Sequence, residues 1–313
     1  MIIRLAMSET YQCKSPVLFL VFNRPDVTAR VFEAIRQAKP PRLYIAADGP
    51  RPDREGEAEK CEEVRKIATA VDWDCEVKTL FRDENLGCKD AVSSGISWFF
   101  KNEPEGIILE DDCLPVNSFF GFCDSQLEQH RNDQSVWSVA GTKFKCYPFN
   151  KRKIAYKSEI FFCWGWATWK SRWDQYSENL EHILPIDHWS SKEAKSYLKK
   201  VIARLNKKNC DSWDYYFSIS CIKARCQNII PPTTLVENLG FNMCSTHTAK
   251  APRIYEGNVK DFKLADAYEH KTAKAYDRIY YGTFSQNRVK RYFLLILTET
   301  IYVYERINKK FFS

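Results

Sequence analysis

At 313 residues and 44% hydrophobic side chains, the chain can bury a real core, which excludes a disordered tail. Its formal net charge of +7 favours an anionic partner. The basic runs, Lys151 to Lys153, Lys199 to Lys208 and Arg288 to Arg291, are too short for a nucleic-acid arm.

The first 115 residues alternate strand and helix signals. Pro16 to Phe22 is a continuous apolar run, as in a strand covered on both faces, and Asn23-Arg24-Pro25 stops it. A helix follows over Asp26 to Gln37, with Val27, Val31, Ala34 and Ile35 on one face and Asp26 or Thr28 as its cap. Leu43 to Ala47 is a second strand, ended by Asp48-Gly49-Pro50. A helix over Glu57 to Val71, a strand over Cys75 to Phe81 and a helix over Lys89 to Lys101 come next. Gly106 to Leu109 is a fourth strand that runs into Glu110-Asp111-Asp112. Beyond residue 116 the pattern changes. Phe119 to His130 reads as a helix, Val136 to Ala140 as a strand, and Phe161 to Trp173 is dense in Trp. Ser191 to Lys208 is a basic amphipathic helix and Trp213 to Ala224 another helix. Asn228 to Pro232 and Thr234 to Val236 are short extended pieces.

Strand–helix alternation predicts a parallel sheet covered by helices, with ligands beyond the carboxyl ends of the strands. Three such ends carry polar residues: Asn23-Arg24, Asp48 and Glu110-Asp111-Asp112. Three successive acids repel one another unless a cation or hydrogen-bond donors compensate them. A magnesium or manganese ion, taking one or two carboxylates plus phosphate oxygens, suits the cluster. An acidic helix N-terminus explains it as well.

Twelve Cys are scattered, none in a CxxC pair, and no secretory leader is read ahead of them. Cys113, Cys163 and Cys221 sit in apolar runs and read as buried free thiols in a reducing cytoplasm. No stretch is long enough for a membrane span. The motifs GxGxxG and GxxxxGK[ST] are missing, which argues against dinucleotide oxidoreductases and P-loop kinases.

In order and spacing, VFNRP (Val21 to Pro25), AADGP (Ala46 to Pro50), ENLG (Glu84 to Gly87), ILEDDCLP (Ile108 to Pro115), WGWATW (Trp164 to Trp169) and DSWDYYF (Asp211 to Phe217) resemble nucleotide-diphospho-sugar transferases of the GT-A fold. Within these the chain is most similar to the N-acetylglucosaminyltransferase I type and to bacterial relatives of surface-polysaccharide synthesis. The match runs from Pro16 to about His247. It implies an α/β, Rossmann-like fold with a mixed, mainly parallel sheet flanked by helices and a C-terminal helical extension. Residues 1–115 would be the nucleotide-sugar half, 116–249 the acceptor half and 250–313 the extension.

The resemblance also implies roles. Arg24 would contact the diphosphate of a UDP-sugar through its bidentate fork, or else be a surface Arg paired with Asp26. Asp48 would accept from the uracil imide, or else be a turn Asp. Glu110 and Asp111 would hold sugar and ribose hydroxyls, and Asp112 would bind Mn2+ or Mg2+. Asp214 would be the base that deprotonates an acceptor hydroxyl, with Asp211 three residues away as reserve on the same helix face. Helix capping explains both Asp as well. His247 is a second metal or phosphate ligand, or a structural His. The WGWATW segment is the acceptor wall or plain core. The implied activity is transfer of a hexose or GlcNAc, with inversion, to a glycan or lipid-linked acceptor. A sugar-phosphate nucleotidyltransferase and a non-catalytic binding module are the alternatives. Residues 288 to 312 suit an anionic membrane surface, a place against the catalytic domain or a second copy of the chain.

Overall fold

The structure, a computed structural model, describes residues 11–144, 155–179, 191–206 and 211–242, together with 274, 276–278, 280 and 281. Ten strands lie among them. β1 (Val17–Val21), β2 (Arg42–Ala47), β3 (Glu76–Phe81), β4 (Glu105–Glu110), β6 (Val136–Ala140), β7 (Tyr156–Ser158), β8 (Trp166–Trp169) and β9 (Gln227–Ile230) form one sheet. Its order is β3-β2-β1-β4-β8-β6-β9-β7. β1 to β4 are mutually parallel, β8 and β7 run antiparallel to their neighbours, and β6 pairs parallel with β9. The sheet is thus the expected mixed, mainly parallel one, with helices on both faces. β5 (Cys113–Pro115) and β10 (Val236–Asn238) form a separate antiparallel pair. β5 and β7, three residues each, are too short to show in the sequence pattern.

The alternation of β1 explains why its sequence is apolar throughout. Val17, Phe19 and Val21 enter one core with Val31 and Ile35 of α1 (Pro25–Ala38), Val64 of α2 (Glu57–Ala68) and Phe119 and Leu127 of α4 (Asn117–His130). Leu18 and Leu20 enter the opposite core with Ile96 and Phe99 of α3 (Gly87–Asn102). There they meet Trp173 of the short α5 (Lys170–Trp173) and Phe217 of α7 (Asp214–Ala224). The basic helix α6 (Lys192–Leu205) lays Leu198, Val201 and Leu205 on Ile219 and Ile222 of α7.

Several local expectations are corrected. α1 begins one residue earlier than expected, because Pro25 at its first position presets a helical φ and has no N–H to lose. Neither Asp26 nor Thr28 caps it: Arg24 is the N-cap residue, and the Thr28 hydroxyl donates to the Arg24 carbonyl at 2.7 Å. Asp211 does not share a helix face with Asp214 either, because α7 starts at Asp214 with Trp213 as its cap residue. The nine described cysteines are free thiols. Cys113 and Cys221 are buried as expected, whereas Cys163 is partly exposed and lines the cleft described next. Among the described residues no helix is long and apolar enough to cross a membrane.

Candidate active site

The carboxyl ends of β1, β2 and β4 open into one cleft of about 980 Å³. Arg24, Asp48, Glu110, Asp111 and Asp112 line it from the strand ends. Asp211 and Asp214 line it from the segment that opens α7. Parallel order is what brings the first set together: neighbouring strands that run the same way finish on the same edge. β8 runs the other way, so the residues that precede it, Phe161 to Trp164, also reach this edge. His247 lies outside the described residues.

The acids are held by specific partners. The Arg24 guanidinium forks onto both oxygens of Asp111, with Nε 3.3 Å from Oδ2, and its Nη1 lies 2.9 Å from Asp112 Oδ2. Its partners are therefore these two Asp and not Asp26. Burial opposes the Arg24 charge, but Asp111 and Asp112 outweigh it and hold the guanidinium above its ordinary value. Burial pushes the Asp111 carboxyl up despite Arg24. Glu110 is raised well above the carboxylate range by burial and then by Asp112 and Asp111. Asp112 is also gripped from behind. Its carbonyl accepts from the Leu239 amide at 2.8 Å, and a β-carbon on Gly240 would lie 2.5 Å from its Oδ2. The β5–β10 pair brings Leu239 and Gly240 there.

Asp48 and Asp211 do related work. A helix leaves the N–H groups of its first turn without intrahelical partners. At α3, the Leu86 and Gly87 amides donate to Asp48, at 3.0 to Oδ1 and 3.2 Å to Oδ2. The Cys88 and Lys89 amides donate to Asp211 at 2.8 and 2.6 Å. Asp48 also accepts from Gly49 and from Asn85 Nδ2, both at 3.0 Å. Burial raises the Asp48 carboxyl, against the backbone donors from Leu86 and Gly49. Gly87 has φ of +81°, and a β-carbon there would meet Asp211 Oδ2 at 3.1 Å, so the turn needs glycine. With both carboxylates in place, the start of α3 is neutralised by the protein's own acids and is closed to a phosphate.

The rim is cationic: Arg51, Lys60, Arg82 and Arg204 line the cleft beside Arg24. Burial lowers Arg82, which donates to Ser94 Oγ at 2.7 Å. Arg51, Lys60 and Arg82 sit in no motif, and Arg204 lies inside the basic run Lys199 to Lys208, so sequence reasoning picked out none of them as cleft residues. Asn23 turns away to Glu57 at 2.8 Å, where it helps Arg51 hold that carboxyl down at about 2.

The Trp-rich segment divides. Trp166 and Trp169 are core residues, 0% and 2% exposed, while Trp164 is partly exposed and lines the cleft with Phe162, Tyr197, Tyr215 and Tyr280. Trp213, wedged against Trp166, Trp173 and Phe161, sets the segment that presents Asp214. The Ser212 hydroxyl donates to Asp214.

No protein-family model matches the chain, and no curated protein matches it. Among solved structures it is similar to mannosyltransferase PcManGT from Pyrobaculum calidifontis in complex with GDP-Man and Mn2+, at 13% identity over 75% of this chain and 59% of that one, TM-score 0.43. The chain thus spans about three-fifths of that protein's length. It is also similar to mouse xyloside xylosyltransferase 1 in its apo form, at 13% identity over 69% of this chain and 83% of that one, TM-score 0.36. HddC from Yersinia pseudotuberculosis is similar at 10% identity over 50% of this chain and 77% of that one, TM-score 0.31.

Proposed function

We propose that the chain is a metal-dependent glycosyltransferase that moves a sugar from a nucleotide-diphosphate donor to a hydroxyl of a glycan or lipid-linked acceptor. One observation carries the reading. The parallel strand ends deliver a cation, Arg24, and three acids, Glu110, Asp111 and Asp112, to the cleft that Asp214 faces from the other half. Donors of the UDP type, carrying GlcNAc or another hexose, are the first to test, with a role in bacterial surface polysaccharide at the cytoplasmic membrane face.

Asp112 fits a Mn2+ or Mg2+ site, because its side chain reaches the cleft and already holds a cationic group, Arg24, on Oδ2. Among the described residues no cluster of three or more metal-ligating side chains is present, so phosphate oxygens and water would complete the shell. Such an ion stabilises the charge of the departing diphosphate. Arg24 and the basic rim hold the diphosphate, and Glu110 and Asp111 orient donor hydroxyls. Asp48, held by the amides at the start of α3, fixes the wall on which the nucleobase rests and is the candidate for a base contact. Asp214 accepts the acceptor hydroxyl's proton as that oxygen bonds to the anomeric carbon. The bond to diphosphate breaks on the opposite face, which inverts the centre. His247 remains a candidate second ligand to the ion or the phosphates.

Purified protein incubated with UDP- and GDP-sugars and manganese, read by mass spectrometry, tests this. Donor turnover abolished by Asp112→Ala is the expected result. Pyrophosphate released from a nucleoside triphosphate and a sugar phosphate would show a nucleotidyltransferase. Nucleotide binding with no turnover across all donors and acceptor mixtures would show a binding module.

A further inference from the structure

Three neighbouring acids on the cleft floor need a counter-charge. Among the described residues, one side chain contacts them with a positive group: Arg24. Its fork takes both oxygens of Asp111, 4% exposed, and its Nη1 sits 2.9 Å from Oδ2 of Asp112, 13% exposed. The place on Asp112 that a divalent ion needs is therefore filled by a guanidinium, and the guanidinium that a diphosphate needs is bound to two carboxylates.

We propose that Arg24 is a built-in placeholder cation, so that the divalent ion and the diphosphate bind as a linked pair. The ion takes Arg24's place on Asp112 while the guanidinium passes to the diphosphate. This rests on the reading of the cleft as a metal–nucleotide-sugar site.

The linkage follows from charge. An ion entering alone puts two positive charges beside Arg24 and strips the guanidinium of its Asp112 partner where the pair is largely buried. A diphosphate entering alone draws Arg24 away and leaves Asp111 and Asp112 uncompensated, with further negative charge close to Glu110. The first event sets two like charges side by side with Asp111 as Arg24's one carboxylate, and the second leaves two largely buried carboxylates without their partner, the costly way to break an ion pair. When both enter, each charge finds an opposite one. The backbone has no part in the exchange, since Arg24 is fixed as the cap residue of α1 and Pro25 locks the next φ. Linkage of this kind is reciprocal: the diphosphate tightens the ion by the factor by which the ion tightens the diphosphate.

Manganese is titrated into the full chain, alone and with saturating UDP or GDP, and free ion is followed by electron paramagnetic resonance. The wild type should bind manganese about tenfold or more tightly when the nucleotide is present. Arg24→Gln should bind manganese alone about tenfold more tightly than the wild type, because the place on Asp112 is open. Arg24→Lys keeps the charge and should stay near the wild type in the ion-alone titration. Asp112→Asn should lose manganese in both titrations, and thermal melts check that each variant folds. If Arg24→Gln binds manganese alone no better than the wild type, Arg24 is not a placeholder, and the proposed function stands. If the wild type binds no manganese even with UDP or GDP, the metal leaves the proposed function and the exchange falls with it.

Discussion

The two halves of the cleft are built by different means. In the half made of β1, β2 and β4, each candidate residue ends its strand or lies within three residues of that end, and parallel order sends all of them to one edge. In the other half nothing so local operates. Asp214 stands where it does because Trp213 is wedged among Trp166, Trp173 and Phe161, and because Asp211 closes the start of a helix more than 100 residues earlier in the chain. Topology places the strand-end residues; aromatic packing and one carboxylate place Asp214. The first arrangement tolerates local change, since the sheet ladder holds it. The second depends on single contacts.

The sharpest probe of this division is Asp214→Asn. With Asp214 as base, transfer should fall on the order of 10²–10⁴-fold, while calorimetric affinity for a nucleoside diphosphate with manganese stays within about twofold. A matching loss of nucleotide affinity would show that the two halves do not divide the work.

Gly240→Ala tests the place where the halves touch. Its β-carbon would lie 2.5 Å from Asp112 Oδ2, so the carboxylate must shift. Manganese affinity in the presence of nucleotide should drop by about tenfold, as when an orienting neighbour of a metal ligand is disturbed. Unchanged affinity would show that Asp112 is placed by β4 alone.

Asp211→Asn tests the tie to α3. The neutral amide offers one acceptor oxygen where the carboxylate offers two, and the helix start loses its negative partner. Stability should fall by about 1 kcal/mol, seen as a melting shift of about 1–2 °C in calorimetry. Nucleotide affinity should hold.

The last probe lies away from the strand ends. Asp277 is buried, accepts from the Ser158 hydroxyl and the Glu159 amide at 3.2 Å, and is pushed up to about 8 by burial. A raised carboxyl means that the folded protein binds a proton which the unfolded chain releases near pH 4. The stability gained from the neutral form is complete below that and is lost as pH rises towards 8. Asp277→Asn should flatten this slope in urea unfolding at pH 5 and pH 8. An unchanged slope would remove Asp277 as its source.

Much of the strand-end side of the cleft was legible in the sequence. A buried strand reads as an apolar run whichever fold it joins, and polar residues that end three such runs mark a ligand edge. Asp112, Arg24 and Asp48 could be picked out this way. Their partners could not, since Arg24 pairs with residues 87 and 88 positions away and sequence spacing offered Asp26 instead. WGWATW shows the same limit from another side. Six residues hold three Trp, and only the reversal of β8 decides that Trp164 faces the cleft while Trp166 and Trp169 fill the core.

Sequence alone determined the four parallel strands, their helical connections and the acids that end the fourth strand, because strand burial and turn chemistry are local properties. Tertiary structure alone decided what each acid does. Asp48 and Asp211 bind the first-turn amides of one helix, Arg24 compensates Asp111 and Asp112, and Asp214 is left facing the cleft. The reason is physical. A carboxylate's role is set by the donors and charges within a few ångströms of it, and here those come from segments distant in the chain.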